Sequence, residues 1–154
     1  MAYAALVTWV VTAGFGFFMF ATWLRSGGAR PQGGTASHFQ PPVVFTHFLL
    51  AAGGLVLWIV YVINDKTALA WVAFVDLLVV GGLGDLLVLR WFKDRRATTG
   101  SPTGGGPISG ESDATSSVQL AEQRIPKVAV VVHGIFAVTT VVLVLLAALE
   151  VGGS

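Results

Sequence analysis

Residues 43–63 read VVFTHFLLAAGGLVLWIVYVI and contain no Asp, Glu, Lys or Arg in 21 positions. As an α-helix rising 1.5 Å per residue, this stretch is about 32 Å long, which matches a bilayer core of about 30 Å. A helix also satisfies its own backbone hydrogen bonds, as a lipid environment requires. The stretch therefore predicts a membrane-spanning helix.

Three further apolar stretches have nearly the same length and cover residues 3–24, 68–89 and 128–149. The 154 residues are 55% hydrophobic and only 11% charged, with a mean hydropathy of +0.78. A soluble domain of this size cannot bury so much apolar surface, and a disordered chain needs more charge. The sequence predicts an all-α fold: a polytopic membrane protein with a four-transmembrane-helix bundle, in a single membrane domain spanning residues 1–154.

The basic residues lie almost entirely on one side of these helices. Eight of the nine Lys and Arg fall in residues 25–42 and 90–127, while the other side has only Lys66. Cytoplasmic loops are enriched in Lys and Arg, so we expect both termini on the non-cytoplasmic side of the cell membrane, plasma or inner. Trp and Tyr residues near the helix ends are expected to be anchors at the membrane interface. They are Tyr3, Trp23, Trp58, Tyr61, Trp71 and Trp91.

The connections and the small residues indicate how the helices are arranged. Residues 97–123 contain 16 Gly, Ser, Thr or Pro in 27 positions, which predicts a flexible cytoplasmic linker. Small residues at helical spacing predict close helix packing, with Gly81 and Asp85 on the packed face of the third helix. The second and fourth helices share a His at the same place, but the first and third show no evident match. No internal repeat is therefore predicted.

Four ionisable residues lie at membrane depth, where such groups are costly and often functional. His47 is four residues inside the second span, and His133 is five residues inside the fourth, both counted from the cytoplasmic side. Asp85 lies at a similar depth on the third helix. Three groups on three helices therefore share one layer, provided that they face one another.

This layer has two functional interpretations and one structural alternative. His47 and His133 at matched depth suit the two axial positions of a single haem b, since small residues beside them leave room for the macrocycle. With Asp85 they would instead form a site for a divalent metal or a proton. The alternative is that each His is a hydrogen-bonded packing residue near the interface.

Asp76 is separated from Asp85 by nine residues, which is half a turn around the helix. The two carboxylates cannot both point into one bundle core. With Asp85 assigned to the layer, Asp76 marks a candidate partner interface, because a carboxylate facing lipid is costly. The expected partners are the lipid bilayer and other membrane protein subunits or further copies of this chain.

The sequence carries no arrangement typical of a hydrolase or a transporter. It lacks cysteine, which excludes disulfides and cysteine-bound metals, and a net charge of +1 gives no indication of a nucleic-acid partner. The first functional hypothesis is a small non-enzymatic membrane subunit or accessory protein. The alternative is a haem b- or metal-binding membrane protein in electron or proton transfer, using the intramembrane His pair.

Overall fold

The structure, a computed structural model, describes residues 1–29, 37–99 and 120–150, apart from the side chains of residues 94 and 97–99. Within these residues all the regular secondary structure is helical, and there are no strands. It forms four long helices and one short 3₁₀ helix: α1 Ala2–Arg25, α2 Pro41–Asn64, α3 Thr67–Thr99, the 3₁₀ helix Ala121–Arg124, and α4 Lys127–Ala148. The four long helices are each long and apolar enough to cross a membrane. The predicted four-helix membrane fold is confirmed.

The helix boundaries differ from the predicted ones mainly around the long linker. α3 continues ten residues beyond Leu89, to Thr99, although its membrane-crossing part is Thr67–Lys93. At the other end of the linker, Ala121 and Glu122 are fully buried in the 3₁₀ helix. The prediction of a solvated linker was wrong for these positions, because Ala121 packs among buried apolar residues and the Glu122 carboxylate accepts a hydrogen bond from the backbone N–H of His38 at 2.7 Å. Residues 100–119 lie outside the described part of the chain.

The helices form a four-membered ring in chain order. α1 packs against α2 and α4, and α3 packs against the same two helices. α2 and α4 therefore face each other across one diagonal of the bundle, and α1 and α3 across the other. We call the end with the Asn64–Thr67 turn the hairpin end, and the end with the 3₁₀ helix the loop end.

The outer surface of the bundle is apolar, as contact with lipid requires. Large hydrophobic side chains such as Val7, Leu49 and Val138 each expose 63% or more of their surface. An apolar surface of this extent marks a membrane or protein contact. Together with the helix lengths, it indicates contact with a lipid bilayer.

The buried side chains form two separate clusters, one at each end of the bundle. The hairpin-end cluster contains Trp9, Trp58, Tyr61 and Leu77 with several alanines. The loop-end cluster contains Trp23, Phe39, Val44, Trp91, Ala121 and Ile125. Along α2, His47 lies between Val44 of one cluster and Trp58 of the other. The layer that contains the histidines therefore separates two apolar cores.

Most of the predicted interfacial anchors are core residues instead. Trp23, Trp58 and Trp91 are at most 3% exposed, and Tyr61 is buried as well, whereas Tyr3 and Trp71 are exposed. An indole ring can be buried where its N–H finds an acceptor. Trp58 donates to the carbonyl oxygen of Ala2 at 3.2 Å, and Trp91 donates to that of Glu122 at 3.1 Å. The anchor prediction was wrong for the buried four.

Candidate functional site

His47 projects from α2 toward α3. Its Nδ1 lies 3.0 Å from the main-chain oxygen of Val80. A carbonyl oxygen only accepts hydrogen bonds, so Nδ1 carries the proton and donates it. The hydrogen bond fixes both the tautomer and the orientation of the ring.

His133 projects from α4 toward α1 and is held in the same way. Its Nδ1 lies 2.9 Å from the main-chain oxygen of Thr12 and donates to it. In both rings the neutral imidazole then has its lone pair on Nε2. Among the described residues neither Nε2 has a hydrogen-bond partner. A metal-binding His has this arrangement, with one nitrogen donating to a carbonyl and the other left for the metal.

The two rings are neighbours across the α2–α4 diagonal. Their centroids are 6.5 Å apart, and their planes are inclined by 59°. Two imidazoles that bind one metal on opposite sides, with metal–nitrogen bonds of about 2 Å, have centroids about 6 Å apart. The spacing of the two centroids is therefore compatible with one ligand shared by the two rings.

Two glycines on the other diagonal leave space for the rings. A Cβ atom built on Gly16 of α1 would lie 3.1 Å from Cε1 of His133. One built on Gly84 of α3 would lie 3.3 Å from Cε1 of His47. A side chain at either position would press on the ring beside it, so these glycines maintain the positions of the histidines.

These contacts show an internal repeat, and the prediction that there is none was wrong. In α1, the acceptor Thr12 precedes Gly16 by four residues, and in α3 the acceptor Val80 precedes Gly84 by four. The first and third helices align when position n is paired with n+68. The pairs of identical residues along the two helices are Ala2 and Ala70, Ala5 and Ala73, Val7 and Val75, Val11 and Val79, Gly14 and Gly82, Gly16 and Gly84, and Trp23 and Trp91.

The second and fourth helices extend the repeat with a shift of 86 residues, which pairs His47 with His133 and Ala51 with Ala137. Trp23 and Trp91, which are equivalent, are both buried in the loop-end cluster. The contacts of α1–α2 are therefore repeated by α3–α4, which is the pattern that an approximate twofold axis between the two imidazoles would produce. A ligand between the imidazoles would then meet equivalent groups on both sides.

Asp85 does not join the two histidines. Its side chain is exposed, as is Gly81, which was expected on the same packed face. The described residues contain no group of three His, Cys, Asp or Glu that could hold a metal ion. The predicted three-residue metal site is therefore not formed in this part of the chain.

Asp76 has the orientation that was expected for Asp85. Its Oδ2 is buried, and a Cβ atom on Gly54 of α2 would overlap it. The same Cβ would lie 3.0 Å from the ring of Trp9. The half-turn separation of the two aspartates was correct, but the assignment was reversed: Asp76 points into the bundle and Asp85 away from it. Lipid exposure of Asp76 as a mark of a partner interface is thus not observed.

The residues that sequence reasoning missed are the backbone acceptors and Gly84. A main-chain carbonyl has no sequence signature, because every residue carries one. The repeat is a usable signal, since Thr12 and Gly16 pair with Val80 and Gly84 once the first and third helices are aligned. In comparisons with known proteins, no family model, no curated protein and no solved structure matches this chain.

Proposed function

We propose that this membrane protein binds one haem b between His47 and His133 and transfers electrons. The observation that carries the proposal is the geometry of the two imidazoles. Both donate from Nδ1 to a main-chain carbonyl, both leave Nε2 for a ligand, and their centroids are 6.5 Å apart. Bis-imidazole ligation of a haem needs two neutral histidines on facing helices at one depth.

The number of protein ligands favours haem over a bare metal ion. A zinc site in a protein takes three or four protein ligands. Here the described residues supply two, since Asp85 is exposed and no third group joins the pair. A porphyrin brings four nitrogen ligands of its own, so its iron needs only the two axial imidazoles.

The surrounding helices would tune such a centre. The Nδ1–H hydrogen bonds increase the electron donation of each imidazole to the iron. The two apolar clusters on either side of the histidine layer keep water away from it. Gly16 and Gly84, on the helices without ligands, keep side chains off the space beside the rings.

The position of the layer suggests where electrons enter or leave. His47 lies six residues from the start of α2, which is about 9 Å of helix. The site is therefore nearer the loop end, and basic residues at this end, such as Arg25 and Arg90, are suited to the haem propionates. If the distribution of basic residues sets the orientation, this is the cytoplasmic side and both termini lie outside.

The accessory-subunit hypothesis remains a prediction that no feature of the structure favours. It depended partly on a carboxylate facing lipid at Asp76, and that carboxylate points inward. Exchange of electrons does require a redox partner, so contact with another membrane protein is compatible with the haem proposal.

The absorption spectrum of the purified protein, with and without dithionite, tests the proposal. We expect a Soret band, a sharpened α band on reduction, and one haem per chain by the pyridine haemochrome assay. His47→Ala and His133→Ala should each lose the low-spin spectrum, whereas Asp85→Asn should keep it. To separate lost ligation from misfolding, His133→Gly is reconstituted with free imidazole, which should restore the bands. A wild-type protein without a Soret band after expression with added haem would contradict the proposal.

A further inference from the structure

Asp76 is an ionisable group inside the bundle that the haem proposal does not use. It lies four residues before Val80, so it is one helical turn, about 6 Å, further toward the hairpin end than the acceptor of His47. Its Oδ2 is buried and has no hydrogen-bond partner among the described residues. It packs against Gly54, beside the ring of Trp9.

The internal repeat shows what is unusual about this carboxyl. The positions equivalent to Asp76 and Gly54 in the other half are Thr8 and Thr140. The hydroxyl of Thr140 donates to the hydroxyl of Thr8 at 3.0 Å, and the hydroxyl of Thr8 also bonds to the backbone of its own helix. Thr8 and Thr140 therefore form a hydrogen-bonded pair of hydroxyls at the place where the other half has Asp76, whose buried oxygen has no hydrogen-bond partner among the described residues.

The other titratable groups on the faces around Asp76 are two turns away. On α2, His47 and Tyr61 lie seven residues on either side of Gly54, and on α4, His133 lies seven residues before Thr140. The face of α1 presents Thr8, Trp9 and Thr12, none of which titrates. Asp85, on the same helix as Asp76, points the other way. Among the described residues on these faces, the histidine pair is therefore the place from which a bound cationic centre would act most directly on this carboxyl.

We propose that Asp76 is the proton-binding partner of the redox centre held by His47 and His133. The inference rests on the proposed function. With an oxidised, positively charged centre, Asp76 is a carboxylate. If haem were held there, uptake of one electron from an external one-electron donor would remove that positive charge, and the carboxylate of Asp76 would take one proton from water at the hairpin end and become a carboxylic acid. One electron and one proton enter together, so the net charge inside the membrane is unchanged.

The physical reason is the cost of an unbalanced charge in a low-dielectric interior. Outside water, an anion is stable only beside a cation. The electron neutralises the positive charge of the oxidised centre. The carboxylate of Asp76 then has no cation to balance it, and the proton neutralises its negative charge. A purely structural Asp76, which only fills the space left by Gly54, would not respond to the redox state.

The first test detects the proton-binding carboxyl without any cofactor. A hydrophobic carbodiimide enters the membrane, where the O–H of a protonated carboxyl adds across one of its C=N bonds. The O-acylisourea that forms rearranges to a stable N-acylurea, so the whole reagent stays on the protein and nothing leaves. We expect a mass increase of one carbodiimide on the peptide that contains Asp76, and faster labelling at lower pH. Asp76→Asn should abolish the adduct, and Asp85→Asn, on the opposite face of the same helix, should leave it unchanged. Absence of an adduct at Asp76 in the cofactor-free protein overturns the inference.

The second test measures coupling through the midpoint potential as a function of pH. At full coupling, a tenfold change in proton concentration shifts a one-electron potential by about 59 mV. We expect the wild-type potential to fall with rising pH by up to this amount per unit. The slope of midpoint potential against pH should flatten in Asp76→Asn and in the double variant Gly54→Thr with Asp76→Thr. The double variant recreates the hydroxyl pair of Thr8 and Thr140, so it serves as a second test if Asp76→Asn misfolds.

The outcomes separate the two proposals. An adduct at Asp76 together with a slope that both variants flatten supports the inference. An unchanged slope in variants that retain the Soret band overturns the coupling and leaves the haem site standing. A wild-type protein without a Soret band overturns the haem site and the coupling together, while the labelling result still shows whether Asp76 holds a proton.

Discussion

The two halves of the bundle hold their histidines alike and differ one turn away. In both halves an imidazole donates to a carbonyl four residues before a glycine, at 3.0 Å and 2.9 Å. Toward the hairpin end, one half has the hydroxyl pair Thr8 and Thr140, and the other has Asp76 against Gly54. What both halves share defines the proposed ligand site, and the difference between the halves places the acid Asp76 one turn away from it.

The largest effect should follow loss of the equivalent tryptophans in the loop-end cluster. We expect Trp23→Ala and Trp91→Ala each to destabilise the bundle by about 3–5 kcal/mol, since each leaves a large cavity. Both indole N–H groups donate a hydrogen bond, Trp23 to Ser37 and Trp91 to the main chain of Glu122, but Trp91 should matter more, because Arg95 also lies 4.5 Å above its ring. Reversible unfolding in detergent with increasing SDS, followed by circular dichroism, measures the difference.

Trp71→Ala is the matched control for this prediction. Its side chain is 40% exposed, so we expect only a small loss of stability. Equal effects of all three substitutions would contradict the prediction, because burial would then not determine the loss of stability.

A smaller loss of stability is expected from substitutions at Gly54 and Asp76, where the two halves differ. Gly54→Ala would place a Cβ on Oδ2 of Asp76 and close to Trp9, which should cost about 1–3 kcal/mol. Asp76→Ala should relieve most of that cost when combined with Gly54→Ala, because the overlapping oxygen is gone. The double-mutant cycle, read from the same unfolding curves, should give a coupling of about 0.5–3 kcal/mol. Strictly additive effects would mean that the two positions do not touch.

The smallest effect tests the glycines beside the histidines. A Cβ on Gly16 lies closer to its imidazole than one on Gly84, 3.1 Å against 3.3 Å. We expect Gly16→Ala to broaden or shift the reduced haem bands more than Gly84→Ala, since the ring must move further. The optical spectrum and the unfolding midpoint are the measurements.

Gly14 and Gly82 are the controls, because they are also equivalent in the repeat and no described atom lies within 4 Å of a Cβ built on either. Replacing glycine by alanine in an open helical position stabilises the helix by up to about 1 kcal/mol. Because an added Cβ at Gly14 or Gly82 contacts neither imidazole, substitutions there should leave the spectrum unchanged. A change in the spectrum at either control would contradict the assignment of Gly16 and Gly84 as the glycines that position the rings.

Much of the site was predictable, and the errors have one cause. The depths of His47 and His133 follow from counting residues along a helix, and the half-turn between Asp76 and Asp85 follows from 100° per residue. Which aspartate faces inward does not follow, because counting gives relative angles and leaves the rotation of the helix undetermined. The internal repeat was present in the sequence, in pairs such as Gly16 with Gly84 and Trp23 with Trp91, but it shows only when the first and third helices are aligned with a shift of 68 residues. The acceptors of the two histidines carry no such signal, because they belong to the backbone and the side chains there, Thr12 and Val80, differ.

The sequence by itself determined four membrane-crossing helices and a shared depth for two histidines, because length and hydrophobicity along one chain are sufficient for both. Only the tertiary structure decided the rotation of each helix, and with it the meeting of the two imidazoles, the inward Asp76 and the outward Asp85. In water, an apolar stripe on a helix would reveal the inward face. In a bilayer the outward face is apolar too, so close packing and hydrogen bonds between helices decide the rotation.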